Sequence, residues 1–161
     1  MRLRLARPSD ALRVREFLPG PLRRDPEAAL LLGRRCGARL AGPPLHFQNP
    51  RERLVVAATA PLDGAEQVVG LADVGFGGTG VAELGVVVDD RTQNRGVGKL
   101  LTEAVASLAI QRGASHLRGE LPQSDGPVRR LMERLGRTVE TVEDGRRVLY
   151  ARLPERPAYA A

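Results

Sequence analysis

The sequence predicts an α/β fold built on a mixed sheet with helices on both faces. Three features carry this reading. Valine-rich segments at 53–60, 68–76 and 81–88 are separated by short turn signals, which implies an antiparallel meander. A helix with a single apolar stripe follows at once through a glycine-containing turn. A second hairpin closes the chain around Glu143-Asp144-Gly145. The expected order is β-α-α-β-β-β-α-β-α-β-β, which requires helices packed against a sheet of mixed direction.

In chain order, Arg2–Ala6 alternates polar and apolar residues and reads as a short strand. Ser9 is placed as an N-cap for a helix to about Leu18, and the Pro-Gly-Pro at 19–21 ends it. Asp25-Pro26-Glu27 supplies a cap, a proline at the first helical position and an acid in the first turn. That second helix is expected to reach about Leu40, with 43–52 as a loop. The meander follows, with 61–67 and 77–80 as its turns. Val97, Leu100, Leu101, Ala104, Val105, Leu108 and Ala109 then fall on one helical face, and Gly113 ends the helix. The remainder reads as a strand at 115–121, a helix at 127–135 and the closing hairpin. A single domain over 1–153 is expected, with 154–161 as a disordered tail.

Composition narrows the function classes. A chain of 161 residues can bury a full core without disulfides. Its one cysteine, Cys36, can form no internal bridge, and the reducing cytoplasm is the expected compartment. His46 and His116 lie far apart, so no metal is expected. No apolar run approaches the ~20 residues of a membrane span, and no membrane partner is expected. The formal charge of +6 with a pI near 10.8 raises nucleic acid as a partner. The arginines are spread rather than clustered, however, and aromatics make up only 3%, too few for base stacking. Nucleic acid is therefore disfavoured. Lys99 is the only lysine, a bias that fits the codon usage of a GC-rich genome.

The segment 86–105, VVVDDRTQNRGVGKLLTEAV, joins a strand to a helix through Gln93-Asn94-Arg95-Gly96-Val97-Gly98. The dinucleotide fingerprint would need a third glycine where Leu101 stands. The ATP-binding loop would need Ser or Thr where Leu100 follows Lys99. What remains is a helix mouth whose first N–H groups converge on one spot with the helix dipole behind them, which suits a phosphate. Arg95 and Lys99 add charge at its rim, and side chains at positions 96 and 98 would obstruct it.

These residues resemble the signature of the GNAT acetyltransferase superfamily: Gln/Arg-x-x-Gly-x-Gly/Ala after a valine-rich strand, opening an amphipathic helix. The resemblance covers roughly residues 2–153 in element order and is strongest from Ala82 to Gly136. AELGVVVDDRTQNRGVGKLL followed by LRGELPQSDGPVRRLMERLG is most similar to bacterial protein-lysine acetyltransferase domains. The resemblance implies a GNAT-like fold with splayed central strands. It implies acetyl-CoA as acyl donor, with the pyrophosphate on residues 93–98 and the pantetheine arm lying beside strand 81–88 like an added strand. Val86 and Val88 would then hydrogen-bond pantetheine through their backbones, and an N–H near Val86 or Val87 would polarise the thioester carbonyl.

The same resemblance assigns Glu83, which interrupts an apolar strand, as general base for an acceptor lysine of pKa about 10.4. Glu120 is the rival carboxylate, and Asp73 reads as a solvated strand residue. Two positions depart from the wider family. Met132 stands where many members carry an acidic tyrosine, and packing is expected of it. Asp125 replaces the usual asparagine beside CoA. The implied acceptor is a protein lysine, with acyl-CoA synthetases as candidates, or else a small amine; a CoA-binding regulatory module is a third possibility. Either a monomer or a homodimer is compatible with the sequence. Arginines at 13, 15, 23, 24, 34, 35, 39, 51 and 53 would make the acceptor side basic, favouring an acidic surface around the lysine.

Overall fold

A computed structural model of the chain describes residues 1–10, 13, 14, 17, 51, 53–121 and 126–155. Seven strands among them form one sheet: β1 (Arg2–Leu5), β2 (Arg53–Leu62), β3 (Ala65–Phe76), β4 (Val81–Val88), β5 (His116–Glu120), β6 (Thr138–Glu143) and β7 (Arg146–Arg152). Their order across the sheet is β1-β2-β3-β4-β5-β7-β6. All neighbours are antiparallel except β4 and β5, which run parallel because a helix crosses between them. That helix is α1 (Val97–Gln111), and α2 (Gly126–Glu133) connects β5 to the closing hairpin. The architecture is the mixed α/β sheet that the sequence implies. Most of the expected first helix and all of the second lie outside the described residues.

The meander is longer than its composition suggested. Residues 61–67 read as a turn, but β2 runs to Leu62 and β3 starts at Ala65, leaving Asp63-Gly64 as a two-residue connection. Both turn residues have positive φ, 52° and 80°. Their backbone twist therefore matches that of the strands, and the ladder continues through Pro61 opposite Glu66.

The two faces of the sheet bury different partners. Alternation along β2, β3 and β4 sends Val56, Ala58, Ala72, Val74, Ala82, Leu84 and Val86 towards α1 and α2, where they meet Leu101, Val105, Ala109, Val128 and Met132. The opposite face gathers Val55, Ala57, Leu71 and Val87 against Val14 and Phe17, both helical. Glu83 and Gly85 alternate with Val87 and so belong to this second face.

Near the start of the chain the carboxylate of Asp10, rather than Ser9, makes the tie. It accepts the backbone N–H of Arg7 at 2.7 Å and a two-pronged contact from Arg4 at 2.6 and 2.7 Å. Only 3% of Asp10 is exposed. The Arg4 hydrogen bonds outweigh burial and hold its pKa down to about 2. A carboxylate held below its unfolded value stabilises the fold above that value, and the contribution fades as pH falls from about 4 towards 2. Asp10→Asn should therefore cost roughly 2 kcal/mol at pH 7. Urea unfolding of both proteins across pH should show that gap closing in acid.

Candidate active site

The loop between β4 and α1 is held by a fault in the sheet. Ala58 pairs with Gly70 but Thr59 pairs with Val68, so Val69 is an extra residue in β3. Its carbonyl, left out of the ladder, accepts the N–H of Asp89 at 2.9 Å and the hydroxyl of Thr92 at 3.3 Å. The Asp89 carboxylate in turn accepts the N–H of Arg91 at 2.8 Å, which winds 90–92 into one tight turn. Gln93 then reaches back to the Val88 carbonyl at 3.4 Å and to Asp90 at 2.9 Å.

Asn94 and Gly96 both take positive φ, 60° and 81°, and reverse the chain into α1. Gly96 is the N-cap and makes no side-chain capping hydrogen bond. The first intrahelical bond runs from Leu100 N–H to Gly96 carbonyl at 3.1 Å, so the earlier N–H groups, from Val97 to Lys99, lie ahead of the helical ladder. A Cβ at Gly98 would stand 3.5 Å from Leu131 and 3.6 Å from Val88, which places this glycine at the seam between the end of β4 and α2. Arg95 is exposed, and Lys99 is half exposed with Glu103 3.8 Å away. The helix sits very close to the sheet here: a Cβ at Gly70 would come within 2.8 Å of Leu101 and 3.0 Å of Val97.

Beside this loop the sheet divides. The β4–β5 ladder has three rungs: Val81–His116, Ala82–Leu117 and Glu83–Arg118. Beyond it, Leu84–Val88 pair with β3, while Gly119 and Glu120 pair with β7. Each strand follows its outer neighbour, and the sheet twist carries the two halves apart. The inner edge of β4 from Leu84 onwards is therefore without a strand partner among the described residues. Val86 and Val87 are 5% and 3% exposed and pack on opposite faces, which leaves only backbone to address the gap.

Glu83 occupies the last rung before this fork. Its side chain is 45% exposed, and its Oε1 lies 3.6 Å from Nη1 of Arg118 directly across the ladder. Arg118 is the hub of the face. Its Nε and Nη2 donate to one oxygen of Glu143 at 3.0 and 2.7 Å. Its Nη1 also lies 3.7 Å from Glu120. The other Glu143 oxygen accepts the Tyr150 hydroxyl at 2.6 Å. Burial opposes the charge on Arg118, but the Glu143 contacts outweigh it and hold the guanidinium above its ordinary pKa. Glu143 is lowered by the Tyr150 hydrogen bond and by Arg118. Tyr150 is raised by that same hydrogen bond and by burial.

The placements of Asp73 and Arg53 differ from the sequence reading. Asp73 is not a solvated strand residue: it is 2% exposed and forms an ion pair with Arg53, one register step further along the same face. Arg53 is therefore not a spare cation for an acidic acceptor. Glu120 is engaged by Arg146 at 3.3 Å. Met132 is fully buried, with its Cε 3.5 Å from where a Cβ at Gly119 would stand, so it packs as its apolar character implies. The ring of His116 meets the Ser115 hydroxyl at 2.9 Å, at the far end of β5 from the fork. Asp125, Cys36 and His46 lie outside the described residues. No group of His, Cys, Asp or Glu placed to hold a metal occurs among the described residues. The Glu143–Arg118–Tyr150 cluster was missed in the sequence, where alternation in His-Leu-Arg-Gly-Glu put Arg118 and Glu120 on one face without revealing what faced them.

The chain matches the Acetyltransferase (GNAT) family over residues 24–136, well over half its length. It belongs to the GNAT acetyltransferase family. This GNAT enzyme therefore uses acetyl-CoA to acylate an amine. Among solved structures, the GNAT domain of S. lividans PAT aligns with a TM-score of 0.70 at 21% identity, covering 94% of this chain and 89% of that one. The PaiA N-acetyltransferase of Thermoplasma acidophilum, in complex with coenzyme A, aligns with a TM-score of 0.68 at 12% identity, covering 94% and 99%. A cAMP-binding acyltransferase from Mycobacterium smegmatis aligns with a TM-score of 0.62 at 22% identity, covering 94% of this chain and 43% of that one. These likenesses are of fold. No curated protein matches the sequence.

The close approach at Gly70 makes a direct test of how α1 is seated. Gly70→Ala should lower stability by about 1–3 kcal/mol by overpacking against Leu101 and Val97. It should also weaken CoA binding, because the helix mouth shifts with the helix. Chemical denaturation and calorimetry with CoA would measure the two effects.

Proposed function

We propose that the enzyme acetylates the side-chain amine of protein lysines by direct transfer in a ternary complex, with Glu83 as general base. The observation that carries this reading is the fork in the sheet, with a carboxylate at its last rung and a helix mouth at its open end. The reading has the CoA diphosphate lying on the loop 93–98 and the mouth of α1, with Arg95 and Lys99 adding charge. The pantetheine arm would then follow the free edge of β4 past Val88 and Val86, so the thioester reaches the fork from the α1 side. The acceptor enters from the opposite face, where Glu83 lies. Asp125 keeps its proposed place beside CoA on sequence grounds alone.

The chemistry follows from that arrangement. Glu83 removes a proton from the acceptor ammonium, directly or through water. The free amine attacks the thioester carbonyl while a β4 backbone N–H near Val86 or Val87 steadies the developing oxyanion. The C–N bond forms, the C–S bond breaks, and CoA leaves as its thiolate. With Met132 buried where other members carry a tyrosine, the thiolate leaves without that acid; an ordinary thiol pKa of about 8.5 makes this tolerable. The sequence resemblance to bacterial protein-lysine acetyltransferase domains over Ala82–Gly136 supports a protein acceptor. A small polycationic amine is the second reading. It is favoured by Glu83, Glu120 and Glu143 on the acceptor face, where Arg53, Arg118 and Arg146 are each already engaged by an acid. The single cysteine supports the reducing cytoplasm as the proposed compartment.

Glu83→Gln should bind CoA normally and lose about 100-fold or more in turnover; full turnover would refute the base. Gly98→Trp should abolish CoA binding in calorimetry, since a Cβ there already makes contact with Leu131 and Val88 and leaves an indole only the proposed phosphate cradle to fill. Incubating the enzyme and acetyl-CoA with lysate protein or with spermidine, followed by mass spectrometry, would separate the two acceptor classes.

A further inference from the structure

The last rung of the β4–β5 ladder holds more than a backbone pair. Glu83 and Arg118 face each other there, and beyond them the strands separate. The guanidinium of Arg118 is fixed from the far side. Glu143 takes both Nε and Nη2 on one oxygen, and Tyr150 fixes Glu143 from the next strand through its hydroxyl. Only Nη1 is turned towards the fork. It stands between two carboxylates at nearly equal range, 3.6 Å from Glu83 and 3.7 Å from Glu120. Arg118 is 18% exposed, Glu83 45%.

An exposed ion pair between two flexible side chains fixes little. Here the cation is held independently of Glu83, because Glu143, itself bonded by Tyr150, takes two of its N–H donors and orients its plane. A long carboxylate side chain beside an open gap would otherwise sample several rotamers. It would also be pushed away by Glu120, its neighbour on the same face. Glu120 cannot substitute for Glu83 at the fork, because Arg146 draws it to the hairpin side at 3.3 Å.

Resting on the reading of Glu83 as general base, we infer that Arg118 is a positioning residue, held by Glu143 and Tyr150, that keeps the Glu83 carboxylate at the fork. It takes no part in proton transfer and acts only through Glu83. The CoA cradle lies on the other side of the sheet, so donor binding is independent of it.

The test is a double-mutant cycle on Glu83 and Arg118. Turnover would be measured with saturating acetyl-CoA and Nα-acetyl-lysine amide as the acceptor probe, with CoA affinity from calorimetry. Arg118→Met should lower kcat by about 10- to 100-fold in the presence of Glu83, with CoA affinity within about twofold. Arg118→Lys, which keeps the charge, should recover part of the loss. In a Glu83→Gln background, Arg118→Met should cost nothing further, because the group it positions is gone. An equal loss in both backgrounds, or unchanged kcat in the single variant, would overturn the inference and leave the base assignment standing. Full turnover by Glu83→Gln alone would instead remove the base assignment itself, and the inference with it. Should Arg118→Met fail to fold, Glu143→Gln on the hairpin releases the same guanidinium. It should show the same dependence on Glu83.

Discussion

The separation of β4 from β5 after three rungs is the constraint on which the site depends. A parallel pair that continued would satisfy the inner edge of β4 with strand partners and leave no free backbone edge for the proposed acyl arm. The pair opens because each strand is bound more extensively on its outer side. β4 pairs with β3 over seven residues and β5 with β7 over five, while the two halves share only three rungs. The twist of each half then increases the gap. The opening is thus a property of the whole sheet and not of any residue lining it.

A second irregularity sets the other end of the site. The extra residue Val69 leaves a carbonyl outside the β2–β3 ladder, and that carbonyl anchors both Asp89 and Thr92. The anchored turn delivers Asn94 and Gly96, with their positive φ angles, to the start of α1. Gly70, next to the extra residue, lets the helix settle against the sheet without a side chain intervening. One local fault therefore positions the loop and seats the helix. The fork and the helix mouth thus both lie towards the C-terminal end of β4.

The face that carries Glu83 is crowded with paired charges. Glu83, Glu120 and Glu143 surround one guanidinium, and Asp73 is buried against Arg53 nearby. The overall charge of +6 gives no hint of this local balance. Of the arginines expected to make the acceptor side basic, Arg53 is paired with Asp73, while those at 15, 23, 24, 34, 35 and 39 lie outside the described residues. Net charge governs encounter at a distance, whereas local recognition depends on which charges at a surface remain unpaired.

The amino-acid sequence alone determined what depends on near neighbours. The valine-rich meander, the amphipathic stripe of α1, the glycine mouth at 96–98 and the packing role of Met132 were all legible from period, turn chemistry and side-chain type. Asp63-Gly64 is a short hairpin signal in its own right, and the strands extend up to it on both sides where the sequence reads 61–67 as turn. What the tertiary structure decided depends on register between segments far apart in the chain. It placed Arg118 opposite Glu83, Glu143 and Tyr150 behind Arg118, and Asp73 in the interior instead of in water. A strand's own residues fix which side chains share a face. The partner facing each one is set by the ladder, and a ladder between residues 83 and 118, or 118 and 150, has no trace in either local stretch.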